Sequence, residues 1–137
     1  GAAGRKVLSL HAVNAATEVL DVLEKTGCLA PGGGGSCTCI LHWYSGSSDQ
    51  LQRAVRLGCH FSINPRMLQT KRGREYARIL PASRLLLETD LPPSAGGSFD
   101  PDKILRILPD ILEALEALRG EPLADRIAAN SEALLLA

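Results

Sequence analysis

Leu85-Leu86-Leu87-Glu88-Thr89-Asp90-Leu91-Pro92-Pro93 is the stretch on which the reading of the fold turns. Three consecutive leucines fit a strand buried on both faces, as in a parallel sheet covered by helices. The run ends in two acids around a threonine, and the double proline then stops any ladder. Carboxylates at the end of a buried strand are costly unless something pairs with them. In β/α barrels the C-terminal ends of strands are where chemistry is done. Asp90 is therefore a functional candidate. Asp-x-Pro-Pro is also good turn chemistry, so a purely capping Asp90 stands beside that reading.

Working outward, the same unit recurs. Arg5 to His11 reads as a short strand ending in a histidine, followed by Asn14 as a helix cap and Ala15, Val19, Val22 and Leu23 at helical spacing, with Gly27 closing the helix. Pro31 to Ser36, with four consecutive glycines, reads as a surface loop with nothing to pack; it lacks the spacing of a phosphate cradle. Cys37 to His42 is a second strand ending in a histidine, and Ser48 or Asp49 opens the next helix. Cys59 to Ile63 is a third strand, closed by Asn64-Pro65, and Lys71 to Leu80 is a short basic helix. Leu85 to Thr89 is the fourth strand. Beyond it come an amphipathic helix, broken or kinked at Pro109, and a last helix from Leu123 to Leu135.

Alternating strands and helices imply parallel strands joined by right-handed crossovers. We expect four of them, near residues 6–11, 38–42, 59–63 and 85–89. All run the same way, so His11, His42 and Asp90 arrive at one rim. Imidazole and carboxylate around one point suit a first-row divalent ion. His60 opens its strand, at the wrong end, and reads as structural.

Composition bounds the alternatives. The 137 residues are 45% hydrophobic and 22% charged, values of an ordinary globular domain. Fifteen Lys+Arg against fifteen Asp+Glu give a formal net charge of +0, so no global field attracts nucleic acid or anionic membrane. No apolar run is long enough for a bilayer and no secretory pattern is present, so a cytoplasmic location without membrane contact is expected. Cys28, Cys37, Cys39 and Cys59 form no C-x-x-C pair; buried reduced thiols are the first reading, with a structural zinc or a disulfide as the alternative.

The phrases His42-Trp43-Tyr44-Ser45-Gly46-Ser47, Phe61-Ser62-Ile63-Asn64-Pro65 and Leu85-Leu86-Leu87-Glu88-Thr89-Asp90-Leu91-Pro92 resemble the TatD family of metal-dependent deoxyribonucleases. Leu10-His11 with Asn14-Ala15, and Asn130 with Leu134, resemble that family's preceding strand end and closing helix. The resemblance implies a β/α barrel of roughly 250 residues. Residues 1–137 would then be a single unit, the C-terminal half: a partial TIM-type α/β barrel of about four parallel strands with flanking helices. His11 and His42 resemble ligands of one ion, and Asp90 a ligand of the other and a partner of the attacking water. The ions would be Mg, Mn or Zn, two in the intact family and at most weakly bound here; the substrate would be DNA or another phosphodiester.

The family's first-strand His-x-His pair and bridging glutamate have no counterpart in this chain, and Val13 stands where the family usually has arginine. The 137-residue chain is therefore expected to be inactive alone. The alternative is a non-catalytic half-barrel fragment or interaction subunit. Exposed sheet edges would permit self-association. Glu88 is expected to brace the strand end or a neighbouring basic group and not to bind metal. Arg66, Lys71, Arg72, Arg74 and Arg78 offer phosphate steering, though a solvated helix face accounts for most of them, with Arg66 the exception. Trp43 and Tyr44 would either stack on a base or fill the rim.

Overall fold

The computed structural model describes residues 6–11, 15–89 and 101–135. Strands β1 (Lys6–Leu10), β2 (Cys37–His42), β3 (His60–Ile63) and β4 (Leu85–Leu87) form one sheet in the order β1-β2-β3-β4. All three pairings are parallel, as the alternation of elements requires. Helices α1 (Ala16–Lys25), α2 (Ser48–Arg56) and α3 (Lys71–Ile79) are the crossovers, and α4 (Pro101–Arg119) and α5 (Ala124–Leu135) follow β4.

Register decides which residues face the helices. Leu8 pairs with Cys39, Leu10 with Leu41, Leu41 with Phe61, and Phe61 with Leu85. Cys39, Leu41, Phe61, Ile63 and Leu85 are buried with Leu20, Leu51, Leu80, Leu115 and Leu123 from the helices and connections. Each such leucine or isoleucine contributes about 1.5–3 kcal/mol by leaving water. The alternate residues Val7, Ser9, Thr38, Ile40, His42 and Ser62 lie on the opposite face, where Val7 is 41% exposed. Leu85 and Leu86 are both buried, so β4 is covered on both faces as its sequence implies.

Several local features differ from the sequence reading. Ser47, one residue before the expected caps, accepts the hydrogen bond from Gln50 N at the start of α2. Helix α4 runs unbroken through Pro109. Pro109 lies on its solvent side while Ile111 and Leu115 anchor the buried side, so the missing backbone donor is lost where water replaces it. The glycine-rich loop does pack: a 3₁₀ turn at Pro31–Gly33 brings the Gly33 backbone against Gly58. Asn14, the cap expected for α1, lies outside the described residues.

The C-terminal helices are tied to the sheet through polar groups. Arg119 Nη1 donates to the carbonyls of Ala77, Arg78 and Leu80, satisfying the orphan end of α3. Asn130 Nδ2 donates to the carbonyls of Ala82 and Leu85, both at 2.9 Å, so part of the β4 edge is satisfied within the chain. Among the described residues no helix is long and apolar enough to cross a membrane.

Candidate metal centre at the strand ends

His42 is the last residue of β2, on the face turned away from the helices. Its Nδ1 meets Oε2 of Glu88, which follows β4, and its Nε2 meets Oγ of Ser9 on β1. A carboxylate can only accept, so Nδ1–H is the donor and Nε2 of the neutral ring is left as an acceptor for the serine hydroxyl. Glu88 Oε1 in turn accepts from Asn64 Nδ2 at 3.3 Å, and Asn64 Oδ1 accepts from Met67 N at 2.8 Å. Asn64 is fully buried at the end of β3. One hydrogen-bonded chain therefore links the C-terminal ends of all four strands: Ser9, His42, Asn64 and Glu88.

His11 follows β1 and, by continuation of the Leu10–Leu41 pairing, stands level with His42. The two rings have centroids 5.0 Å apart with a 30° tilt. The sequence expectation that these histidines meet on one rim holds for this pair. Asp90, the third expected ligand, lies outside the described residues. Glu88 braces the strand end, and the group it braces is His42.

Neutral imidazoles suit first-row divalent ions, and a carboxylate on Nδ1 is the usual way of turning Nε2 toward an ion. Ser9 Oγ is the group an ion at Nε2 would displace. Among the described residues no cluster of three or more His, Cys, Asp or Glu forms a complete ligand set. The residues fit one ion in part, with two imidazoles and an oriented ring.

The surroundings sort the remaining candidates. Trp43 adopts φ 44°, a left-handed conformation uncommon for a bulky residue, and so turns the chain sharply after His42. Arg66 lies 5.9 Å from its ring centroid. Tyr44 is buried edge-on against Phe61 and donates to Ser47 O at 2.7 Å, so it fills the rim and offers no stacking face. Burial pushes its phenol up to about 12, with Tyr76 adding to the effect. His60 is at the start of β3, distant along the strand from the rim as its position implied; burial, helped by Arg84, pushes it down to about 4.

The cysteines are free thiols. Cys37, Cys39 and Cys59 are buried and Cys28 is half-buried, with its Sγ 2.6 Å from Cys37 Sγ. Hydrogen bonding to Cys59 lowers Cys39, and the same contact raises Cys59. Cys39 and Cys59 belong to the hydrophobic core.

Parallel β/α units with polar side chains gathered at the C-terminal strand ends define a β/α-barrel type of protein. The chain belongs to the TatD related DNase family, whose model matches residues 2–136. It is 36% identical over 90 residues to the 3'-5' ssDNA/RNA exonuclease TatD of Salmonella typhimurium, covering 60% of this chain and 35% of that protein. It is 33% identical over 85 residues to the deoxyribonuclease Tat-D of Schizosaccharomyces pombe, covering 62% and 26%. With the exonuclease TatD of Citrobacter rodentium the match is 29% over 136 residues, covering 91% and 49%. The chain thus spans half or less of the length of these relatives.

Two solved structures share the fold. A TatD family hydrolase from Entamoeba histolytica superposes with a TM-score of 0.72 at 13% identity, covering 91% of this chain and 49% of that one. The TatD homologue YjjV of Escherichia coli gives 0.68 at 24%, covering 91% and 48%. The four-stranded sheet is a partial barrel of that type.

Ser9 and Asn64 are the site residues that sequence reasoning missed. The signal for Asn64 was available: an amide at a strand end is an alternative to turn chemistry wherever the neighbouring strand ends in an acid. Ser9 carried no such signal.

Proposed function

We propose that this chain is the C-terminal half of a metal-dependent phosphodiesterase barrel acting on DNA, with His11, His42 and Asp90 as its contribution to a two-ion centre. The observation that carries the reading is the His11–His42 ring pair at the strand ends, with Glu88 behind His42. Divalent ions in such a centre supply Lewis-acid polarisation of the phosphodiester and lower the pKa of water. The chain's own groups do the positioning. Glu88 accepts the hydrogen bond from Nδ1–H of His42 and so turns Nε2 to the rim; Asn64 donates to Glu88 and holds it in place. Asp90 is assigned the proton of the attacking water. The relatives' names add single-stranded DNA or RNA to the substrate class.

The second reading, a non-catalytic half-barrel, draws support from the chain's spanning half or less of the length of the relatives it matches. Cleavage of a single-stranded oligonucleotide in Mg²⁺ or Mn²⁺ separates the two. The 137-residue chain is expected to cleave little or nothing alone. Extended at its N-terminus by the other half-barrel, it is expected to cleave in a manner abolished by His42→Ala and by Asp90→Ala. Cleavage by the extended chain that survives both substitutions contradicts the proposal.

A further inference from the structure

The loop after β2 and the start of α3 both follow strand ends on the C-terminal side of the sheet, and between them opens a cleft of about 770 Å³. Its walls are Ser45, Ser47 and Ser48 on one side and Lys71, Arg72 and Tyr76 on the other. Two tyrosines fix its backbone: Tyr44 donates to Ser47 O and Tyr76 to Gly46 O, both at 2.7 Å. These bonds occupy carbonyls that would otherwise repel an anion, while the serine side chains stay exposed.

The charges in the cleft do not cancel. Lys71 and Arg72 occupy the first turn of α3, which carries no acid. Cations there oppose the helix dipole and cost local stability. Neither side chain has an ion pair or hydrogen bond among the described residues. Glu75, the acid in the wall, is already engaged by Arg78 through two hydrogen bonds, at 2.5 and 3.1 Å. The other cations of the cluster are committed elsewhere: Arg74 donates to Leu68 O and Arg66 lies over Trp43.

We propose that this cleft is a subsite for the phosphate backbone of a single-stranded nucleic acid, with Lys71 and Arg72 as its anion-binding residues, beside the strand-end centre. The assignment rests on the phosphodiesterase reading for its choice of ligand. It also separates the basic cluster into two binding cations and others with local partners.

The test is fluorescence anisotropy of the 137-residue chain with a 5′-fluorescein dT12 strand in EDTA, over a range of salt concentrations. Lys71→Ala/Arg72→Ala is expected to weaken binding about tenfold and to flatten the log–log salt slope by about 1.4, the value for two lost phosphate contacts on a single strand. Lys25→Ala/Arg126→Ala, exposed on α1 and α5 and outside the cleft, removes the same formal charge and is expected to change affinity less than twofold. Equal losses in the two variants, or no loss in the first, overturn the subsite. So does competition by thymidine 5′-monophosphate at the concentration at which unlabelled dT12 competes, because that result makes the cleft a mononucleotide site. Binding in EDTA involves no cleavage, so failure here leaves the hydrolase reading standing, and an enzyme that cleaves nothing leaves the subsite standing.

Discussion

Glu88 Oε2 accepts a hydrogen bond from Nδ1–H of His42, and that contact joins the end of β4 to the end of β2 across the intervening strand. It fixes the tautomer of the ring before any ligand arrives. If the contact serves a metal, Glu88→Gln is expected to weaken Zn²⁺ or Mn²⁺ binding about 10–100-fold, the usual cost of losing such a partner. The check is calorimetric titration of both proteins. Equal affinities would make Glu88 a brace for the strand end alone.

Asn64 serves two masters at zero exposure, accepting from Met67 N and donating to Glu88. Asn64→Ala leaves a buried backbone N–H without its partner and is expected to cost about 1–3 kcal/mol in urea unfolding. A change below about 0.5 kcal/mol would mean that water replaces the amide freely.

Gly58 has φ +86°, and a Cβ there would stand 2.7 Å from Gly33 Cα. Gly27, at φ +76°, has nothing within 4 Å. Both alanine substitutions carry the backbone penalty, of the order of 1 kcal/mol, but only Gly58→Ala must also push the glycine-rich loop away. Gly58→Ala is expected to lower the melting temperature more than Gly27→Ala. The reverse order would mean that the loop lifts off without cost.

His60 makes stability depend on pH. Its folded pKa of about 4 lies below its ordinary 6.5, so between those values the unfolded chain binds the proton and the folded one does not. The neutral ring's contribution is complete above about pH 6.5, falls as the pH drops toward about 4, and is constant below that. Discounted for solvent screening, the loss is about 1–2 kcal/mol. Urea midpoints at pH 7 and pH 4.5 check it, and His60→Gln is expected to flatten the difference.

The strands were legible because burial imposes long-range consistency: apolar runs ending in His11, His42 and the Glu88–Asp90 acids recur at one point of each unit. The cap of α2 lies one residue before the expected position because Ser47, Ser48 and Asp49 all have the chemistry, and it is the extended Ser47 backbone that turns its hydroxyl to Gln50 N. Pro109 misled because a proline's cost depends on which helix face it takes, and that is settled by packing of Ile111 and Leu115. The link from Ser9 to His42 to Glu88 to Asn64 crosses the whole sheet, and no local pattern encodes which side chains register places level.

In the proposed function the strand-end histidines form part of a metal centre. The most direct measurement is isothermal titration of the chain with Zn²⁺, in parallel with His11→Ala and His42→Ala. Weak binding at one site is expected, because two imidazoles supply fewer protein ligands than the three or four of established zinc sites. Either substitution is expected to abolish that binding. Binding unchanged in both variants, or none in the parent chain, would contradict the proposed metal centre.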